Sequence, residues 1–284
     1  MNSSVNYPVI SVDEVIRPTR VEVDLKILAE NFRTIKKHVA PAKVMPVLKA
    51  NAYGHGLVRV AQLMEELKAD WLGVAVLEEG ILLRQKGIKI PILVLGGIWG
   101  NQIPIFIKHD LAITASSIEK LKQIDELSAQ LKKKARVHLK IDTGMERLGV
   151  HYYHAEKFFE ATLSCKHLIV DGVYSHFANS DDRDFSFAKL QLERFKEAVS
   201  FFQKTFIAHT NTPHSKLRRN SSDAGSKFGY SSPGNYALRS LSIARSETYC
   251  KSFPGINVEI FGCVFQSYQS RELCWLRNDM ETRS

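Results

Sequence analysis

The sequence predicts an α/β fold, and within that class a (β/α)8 barrel of the TIM type. Three observations carry the prediction: short, nearly all-apolar runs, amphipathic helical stretches between them, and polar residues set just after several runs. Short apolar runs suit parallel strands covered on both faces, and parallel neighbours need a crossover helix. Strand and helix alternating along one chain define the α/β class. A doubly wound open sheet stays open as the alternative arrangement.

Residues 1–19 read as a leader, and the barrel portion spans 20–212. Val44-Met45-Pro46-Val47-Leu48 is the first strand candidate, with helical spacing from Leu57 to Leu67 after it. Trp71 to Val76 is the second, followed by a helix rich in Glu, Leu and Arg. Ile92-Leu93-Val94-Leu95 is the third, and a segment through Ile107 leads on to Leu111-Ala112-Ile113-Thr114. A long helix is expected from Ser117 to Lys132. Val137 to Ile141 and Leu168 to Val173 complete a series of about six strands of eight, with helical periodicity through Leu190, Phe195 and Val199 beyond. Polar residues just after the strands collect at one rim of a barrel. Here they are Lys49, Asp142 with Arg147, and His176.

Composition removes several function classes. With 44% hydrophobic and 24% charged residues and no apolar run near the ~18 residues of a membrane span, a membrane partner is not expected. The start, MNSSVNYPVISVDE, has neither the basic nor the apolar stretch of a secretory signal. Four cysteines without paired spacing suit neither a disulfide scaffold nor a metal site, and the expected compartment is cytoplasmic. The formal net charge of +9 is spread along the chain, with Lys132-Lys133-Lys134 its longest run and no base-reading motif beside it. Nucleic acid is therefore not the expected partner, although the charge favours small anions.

The segment Val47-Leu48-Lys49-Ala50-Asn51-Ala52-Tyr53-Gly54-His55-Gly56 is the most informative. A lysine ending an apolar strand is either a rim residue that snorkels to water or a buried amine whose pKa falls. The second kind suits Schiff-base chemistry with an aldehyde. K-A-N-A-Y-G-H-G resembles the pyridoxal-phosphate site of the alanine racemases. Arg17-Pro18 with Val21 to Leu25 and Asn31 resembles the family's opening. Lys140 to Gly149 resembles its K-x-D-T-G-M-x-R-[LI]-G segment, and Tyr174-Ser175-His176-Phe177-Ala178 with Asp181, Asp182, Gln191 and Phe195 resembles its [ST]-H-F-A segment and following helix.

The resemblance covers roughly residues 17–212 and implies specific roles. Lys49 would bind pyridoxal phosphate covalently and move the substrate α-proton on one face. Tyr53 would hydrogen-bond the phosphate, and His176 would pack on the pyridine ring. Arg147 would sit near the cofactor's phenolic oxygen and the substrate carboxylate, where a guanidinium fork suits an anion. Asp142 reads as structural, and His55 as a loop residue without a role. A small amino acid is the implied substrate, D-alanine for peptidoglycan the implied purpose, and a homodimer the state of the intact family. A non-catalytic pyridoxal-phosphate-binding barrel and an inert gene remnant are the competing readings.

Beyond residue 212 the family pattern stops. A seventh strand reading H-x-A-N-S-A, a V-R-P-G-I-x-L-Y-G segment and a C-terminal β-domain with V-[GS]-Y-G have no counterpart in 213–284. Helical periodicity fades there, serine is abundant, and Cys250, Cys263 and Cys274 all lie in this part. The genetic code supplies a reason. Read one nucleotide later, codons for Pro213 to Arg219 can spell H-I-A-N-S-A-A, those for Ser231 to Arg239 V-R-P-G-I-M-L-Y-G, and those for Cys274 to Asn278 V-G-Y-G-T. Residues 213–284 therefore read as a non-homologous, out-of-frame tail. The missing strands would leave open sheet edges, so poor folding and impaired activity are expected.

Overall fold

The computed structural model describes residues 22–40, 42–180, 184–210 and 257–261. The expected leader, and the tail apart from 257–261, lie outside the described residues.

The chain opens with α1 (Leu25–His38), capped by the Asp24 carboxylate, which accepts the Lys26 and Ile27 N–H groups at 2.7 and 3.2 Å. Lys36, Lys37 and His38 fill its last turn, where the helix dipole favours cations. The first strand candidate survives as a single parallel bridge, Val47 to Gly73, flanked by Leu48 N–H to Gly73 O and Gly73 N–H to Pro46 O. Pro46 has no N–H to extend a ladder. The Asp70 carboxylate takes the Val44 N–H instead, at 2.9 Å.

After the turn Lys49–Tyr53 (α2) come α3 (Leu57–Glu66), β1 (Leu72–Val74), α4 (Leu77–Gln85), β2 (Ile92–Val94), α5 (Ile103–Lys108), β3 (Ala112–Ala115) and α6 (Ile118–Gln130). Then follow β4 (Ala135–Asp142), β5 (Val150–His151), α7 (Ala155–Ser164), β6 (Leu168–His176), α8 (Ser186–Thr210) and β7 (Asn257–Phe261). Helices α1 and α7 have no counterpart among the expected elements. In α7 the buried Phe158 and Phe159 sit beside polar neighbours that hide the helical period over so short a span.

The sheet order is β1-β2-β3-β4-β6-β7, every pair parallel, with β5 paired to β4. Strands thus follow one another in chain order without the reversal a doubly wound sheet requires. This is a consecutive part of a TIM-type barrel. The edge of β6, expected to be open, is covered by β7, with Gly172 to His176 aligned on Asn257 to Phe261. The run Asn-Val-Glu-Ile-Phe has the β-branched and aromatic content of a strand, so this short part of the expected tail joins the sheet.

Strand residues alternate between two cores. Leu72, Ile92, Ile113, Val137, Leu139 and Val173 face the helices and pack in one cluster with Met64, Phe106, Leu121, Phe158 and Phe195. Trp71, Leu93, Ala112 and Tyr174 form the other, inside the sheet's curve. On β4 the same alternation sends Arg136, His138 and Lys140 inward. The expectation of a nearly apolar strand is corrected there: its inner face is cationic and polar, its outer face apolar.

Candidate active site

Lys49 follows the Val47 bridge and opens an unusual turn. Ala50, Asn51, Ala52 and Tyr53 have φ of 53°, 57°, 52° and 55°, one turn of left-handed helix. Such a conformation costs roughly 1–2 kcal/mol per residue for L-amino acids, so the surroundings must hold it. Within the turn, Ala52 N–H bonds Leu48 O and Gly54 N–H bonds Ala50 O and Asn51 O. The Asn51 side chain accepts the Leu57 N–H at 2.8 Å, and His55 Nδ1 donates to Ala52 O at 3.0 Å and Tyr53 O at 3.2 Å. His55, expected to lack a role, therefore braces this turn. Gly54 and Gly56, with φ of 88° and 92°, end it where side chains would be strained.

Lys49 is half-buried, and its Nζ lies 5.8 Å from the centroid of the half-buried Tyr53 ring. The enclosed amine of this sheet is another residue, Lys140. Its Nζ is buried with no hydrogen-bond partner among the described residues and stands over the Tyr174 ring. Burial pushes the Lys140 amine down to about 7, opposed by the Asp142 carboxylate and aided by Arg147.

His176 ends β6. Burial first, then the charges of Lys140, Arg147 and Lys49, push its imidazole down to about 4. Lys49 follows the Val47 bridge, Arg147 sits on the loop after β4 and His176 ends β6, and because these strands run parallel all three lie at one end of the sheet. The expected set Lys49, Arg147 and His176 is thus brought to one rim, and Lys140 joins it. The ring stays neutral at ordinary pH.

Arg147 is exposed, on a loop built by Asp142. The Asp142 carboxylate accepts the N–H groups of Gly144, Glu146 and Arg147 at 2.8, 3.2 and 3.1 Å. Burial raises its pKa, but these hydrogen bonds and the Lys140 charge outweigh it and hold the group below the usual carboxylate range. The structural role expected of Asp142 is the one its contacts describe. On the far side, Gln191 of α8 donates to His176 O at 3.1 Å and Thr143 Oγ1 at 3.3 Å and accepts the Ala178 N–H at 2.9 Å. Thr143 and Ser175 share a 2.8 Å hydrogen bond, so β4 and β6 are tied together at the rim.

Below the rim the interior is a column. Arg136, paired to Asp171 at 2.7 Å, lies 5.2 Å from the Trp71 ring, which meets the His138 ring edge-on at 4.8 Å. Tyr174 OH bonds Thr114 Oγ1 at 2.8 Å, and Thr114 donates to Val94 O at 2.7 Å. His138 and Lys140 are absent from the sequence expectation as site or core groups. The alternation Arg-Val-His-Leu-Lys-Ile-Asp over 136–142 is the signal that marks them.

Comparison with known proteins places these residues in a family. Residues 23–223 match the family model described as alanine racemase, N-terminal domain. Over 191 residues the chain is 41% identical to alanine racemase 1 of Caldanaerobacter subterraneus subsp. tengcongensis, covering 66% of this chain and 49% of that protein. It is 44% identical over 180 residues to the alanine racemase of Carboxydothermus hydrogenoformans, covering 63% of this chain and 49% of that one. Among solved structures, the alanine racemase of Clostridium difficile 630 in complex with cycloserine is similar with a TM-score of 0.64 at 34% identity, over 68% of this chain and 54% of that chain. The chain spans about half the length of the curated relatives it matches. Lys49, Tyr53, Asp142, Arg147 and His176 all fall inside the matched region, and the chain belongs to the alanine racemase N-terminal domain family.

Proposed function

We propose that this chain derives from an enzyme that interconverts L-alanine and D-alanine with pyridoxal phosphate, in the cytoplasm and for peptidoglycan synthesis. The observation that supports this reading best is that Lys49 after the Val47 bridge, Arg147 on the loop after β4 and the half-buried His176 at the end of β6 lie at the same end of neighbouring parallel strands. An anionic ring cofactor suits this end of the sheet: Lys49 and Arg147 supply cationic side chains there, and the buried Lys140 amine has no hydrogen-bond partner among the described residues. When bound, pyridoxal phosphate supplies an electron sink that makes the substrate α-proton acidic.

The chain's own residues would then divide the work. Lys49 would hold the cofactor through its amine and would take or return the α-proton on one face. Tyr53 would donate its hydroxyl to the phosphate, and His176 would pack on the ring as a neutral group. Arg147 holds the substrate carboxylate through its guanidinium. Racemisation needs a second acid/base on the opposite face, which the family takes from a tyrosine segment that 213–284 does not spell. Turnover by this chain is therefore expected to be impaired, and the homodimer of the intact family is doubtful for it.

The span of about half of each relative favours one second reading, a barrel that binds the cofactor without turnover. Incubation with pyridoxal phosphate, borohydride reduction and peptide mapping test the binding. A label on Lys49 is expected, and a label elsewhere or none overturns the proposal. L-to-D conversion by a frame-repaired chain, and little by this one, separates the enzyme lineage from the binding barrel. Reading the coding DNA from codon 213 tests the out-of-frame tail: the shifted frame must spell the three family segments. For the described residues, no helix is long and apolar enough to cross a membrane.

A further inference from the structure

Glu79 lies in the first turn of α4 and is not among the residues expected at the site. Its carboxylate nevertheless joins two strand ends. One oxygen accepts the Ala50 N–H at 2.7 Å, and the other accepts the Ala75 N–H at 2.8 Å and the Val76 N–H at 3.4 Å. The Ala50 amide is the first after Lys49. Later amides of the left-handed turn bond to carbonyls of the turn itself or of Leu48, whereas this one is held from outside, by the first turn of α4.

We propose that Glu79 is a positioning residue for Lys49: it clamps the start of the left-handed turn to the β1–α4 junction and so fixes where the lysine backbone leaves the sheet. The proposal rests on Lys49 being the cofactor-binding amine. A carboxylate suits this place because both oxygens accept and neither donates. A glutamine offers one accepting oxygen and one NH2 group, so it loses either the clamp on Ala50 or the bond to Ala75. The competing account is a helix cap alone, since glutamate at this position commonly accepts the N–H that opens a helix. Ser117 supplies the comparison: it caps α6, the helix that follows β3 rather than the lysine turn, by accepting the Lys120 N–H at 3.2 Å.

The test uses the full chain and the variants E79A, E79Q and S117A, with pyridoxal phosphate as the probe. Two quantities are read: deuterium uptake by the backbone of residues 49–57, and the rate at which borohydride-fixed label accumulates on Lys49. In E79A, and to a smaller extent in E79Q, uptake should quicken and labelling slow by roughly tenfold, the worth of a charge-assisted hydrogen bond. S117A should lower thermal stability while leaving both quantities within about twofold of the parent. Uptake in E79A and E79Q equal to the parent's overturns the clamp, as does an equal change in S117A. A parent chain that takes no label on Lys49 defeats the proposed function, while deuterium uptake still decides whether Glu79 holds the turn.

Discussion

The Lys140 Nζ stands 4.5 Å from the centroid of the Tyr174 ring, one strand away and inside the sheet's curve. An aromatic face offers a cation partial compensation, and the rest of the surroundings withdraw water from it. The amine is held down to about 7 from an ordinary 10.5. Between those values the unfolded chain binds a proton that the folded chain refuses, so stability falls as pH drops from 10.5 to 7 and the penalty is complete below that. Lys140→Met should be more stable than the parent at neutral pH by about 1–3 kcal/mol. That advantage should shrink toward alkaline pH, as read from urea unfolding midpoints.

The two imidazoles act in the same direction at lower pH. His138, enclosed on all sides, is pushed down to about 3, by burial first and then by Arg136. His176 is held at about 4. As pH falls below 6.5, unfolded histidines take up protons while these two do not, so the folded state loses stability down to about 4. His138→Gln should flatten that fall, measured as the pH dependence of the urea midpoint. An unchanged slope would show that other groups carry the acid sensitivity.

Gln191 is buried and bonds three groups at once, two on the β6 side and one on Thr143. Gln191→Ala strands the Ala178 N–H and the His176 carbonyl. It should cost about 1–3 kcal/mol, visible in chemical denaturation, and should speed hydrogen exchange at 175–178 more than at β1.

Gly149 has φ of 118°, and a Cβ there would come within 2.8 Å of Lys140 Cγ and 2.9 Å of Lys140 O. Only glycine adopts that backbone freely. Gly149→Ala should therefore cost about 1–3 kcal/mol and disturb the Lys140 side chain directly. Its effect should be absorbed in part by Lys140→Ala, a non-additivity that a double-mutant cycle would measure.

The sheet was legible where the strands are buried on both faces. Ile92-Leu93-Val94 and Ala112-Ile113-Thr114 can pack nowhere else, and their helices are marked by caps such as Ser117. The first strand was legible as a run but not as a mere bridge, because Pro46 removes a donor that hydrophobicity does not register. Lys49, Arg147 and His176 announce themselves by following strands. Lys140 and His138 did not, because inward-facing polar residues alternate with Val137, Leu139 and Ile141 and are read as interruptions of an apolar run. Glu79 is invisible for a different reason. Its partners are backbone amides from two other strand ends, and no sequence pattern records where a main-chain N–H will point.

Strand order has a consequence for how such a chain is made. Leu72 aligns with Ile92, Leu93 with Ala112 and Ile113 with Val137, so each new strand docks on the one completed just before it. Growth of that kind demands little loop closure and can keep pace with synthesis on the ribosome. The partner of Gly172 is Asn257, far later in translation. Until that strand is made, β6 lacks the partner it has in the finished sheet, and an unpaired strand edge invites association with chaperones or with neighbouring copies of the chain.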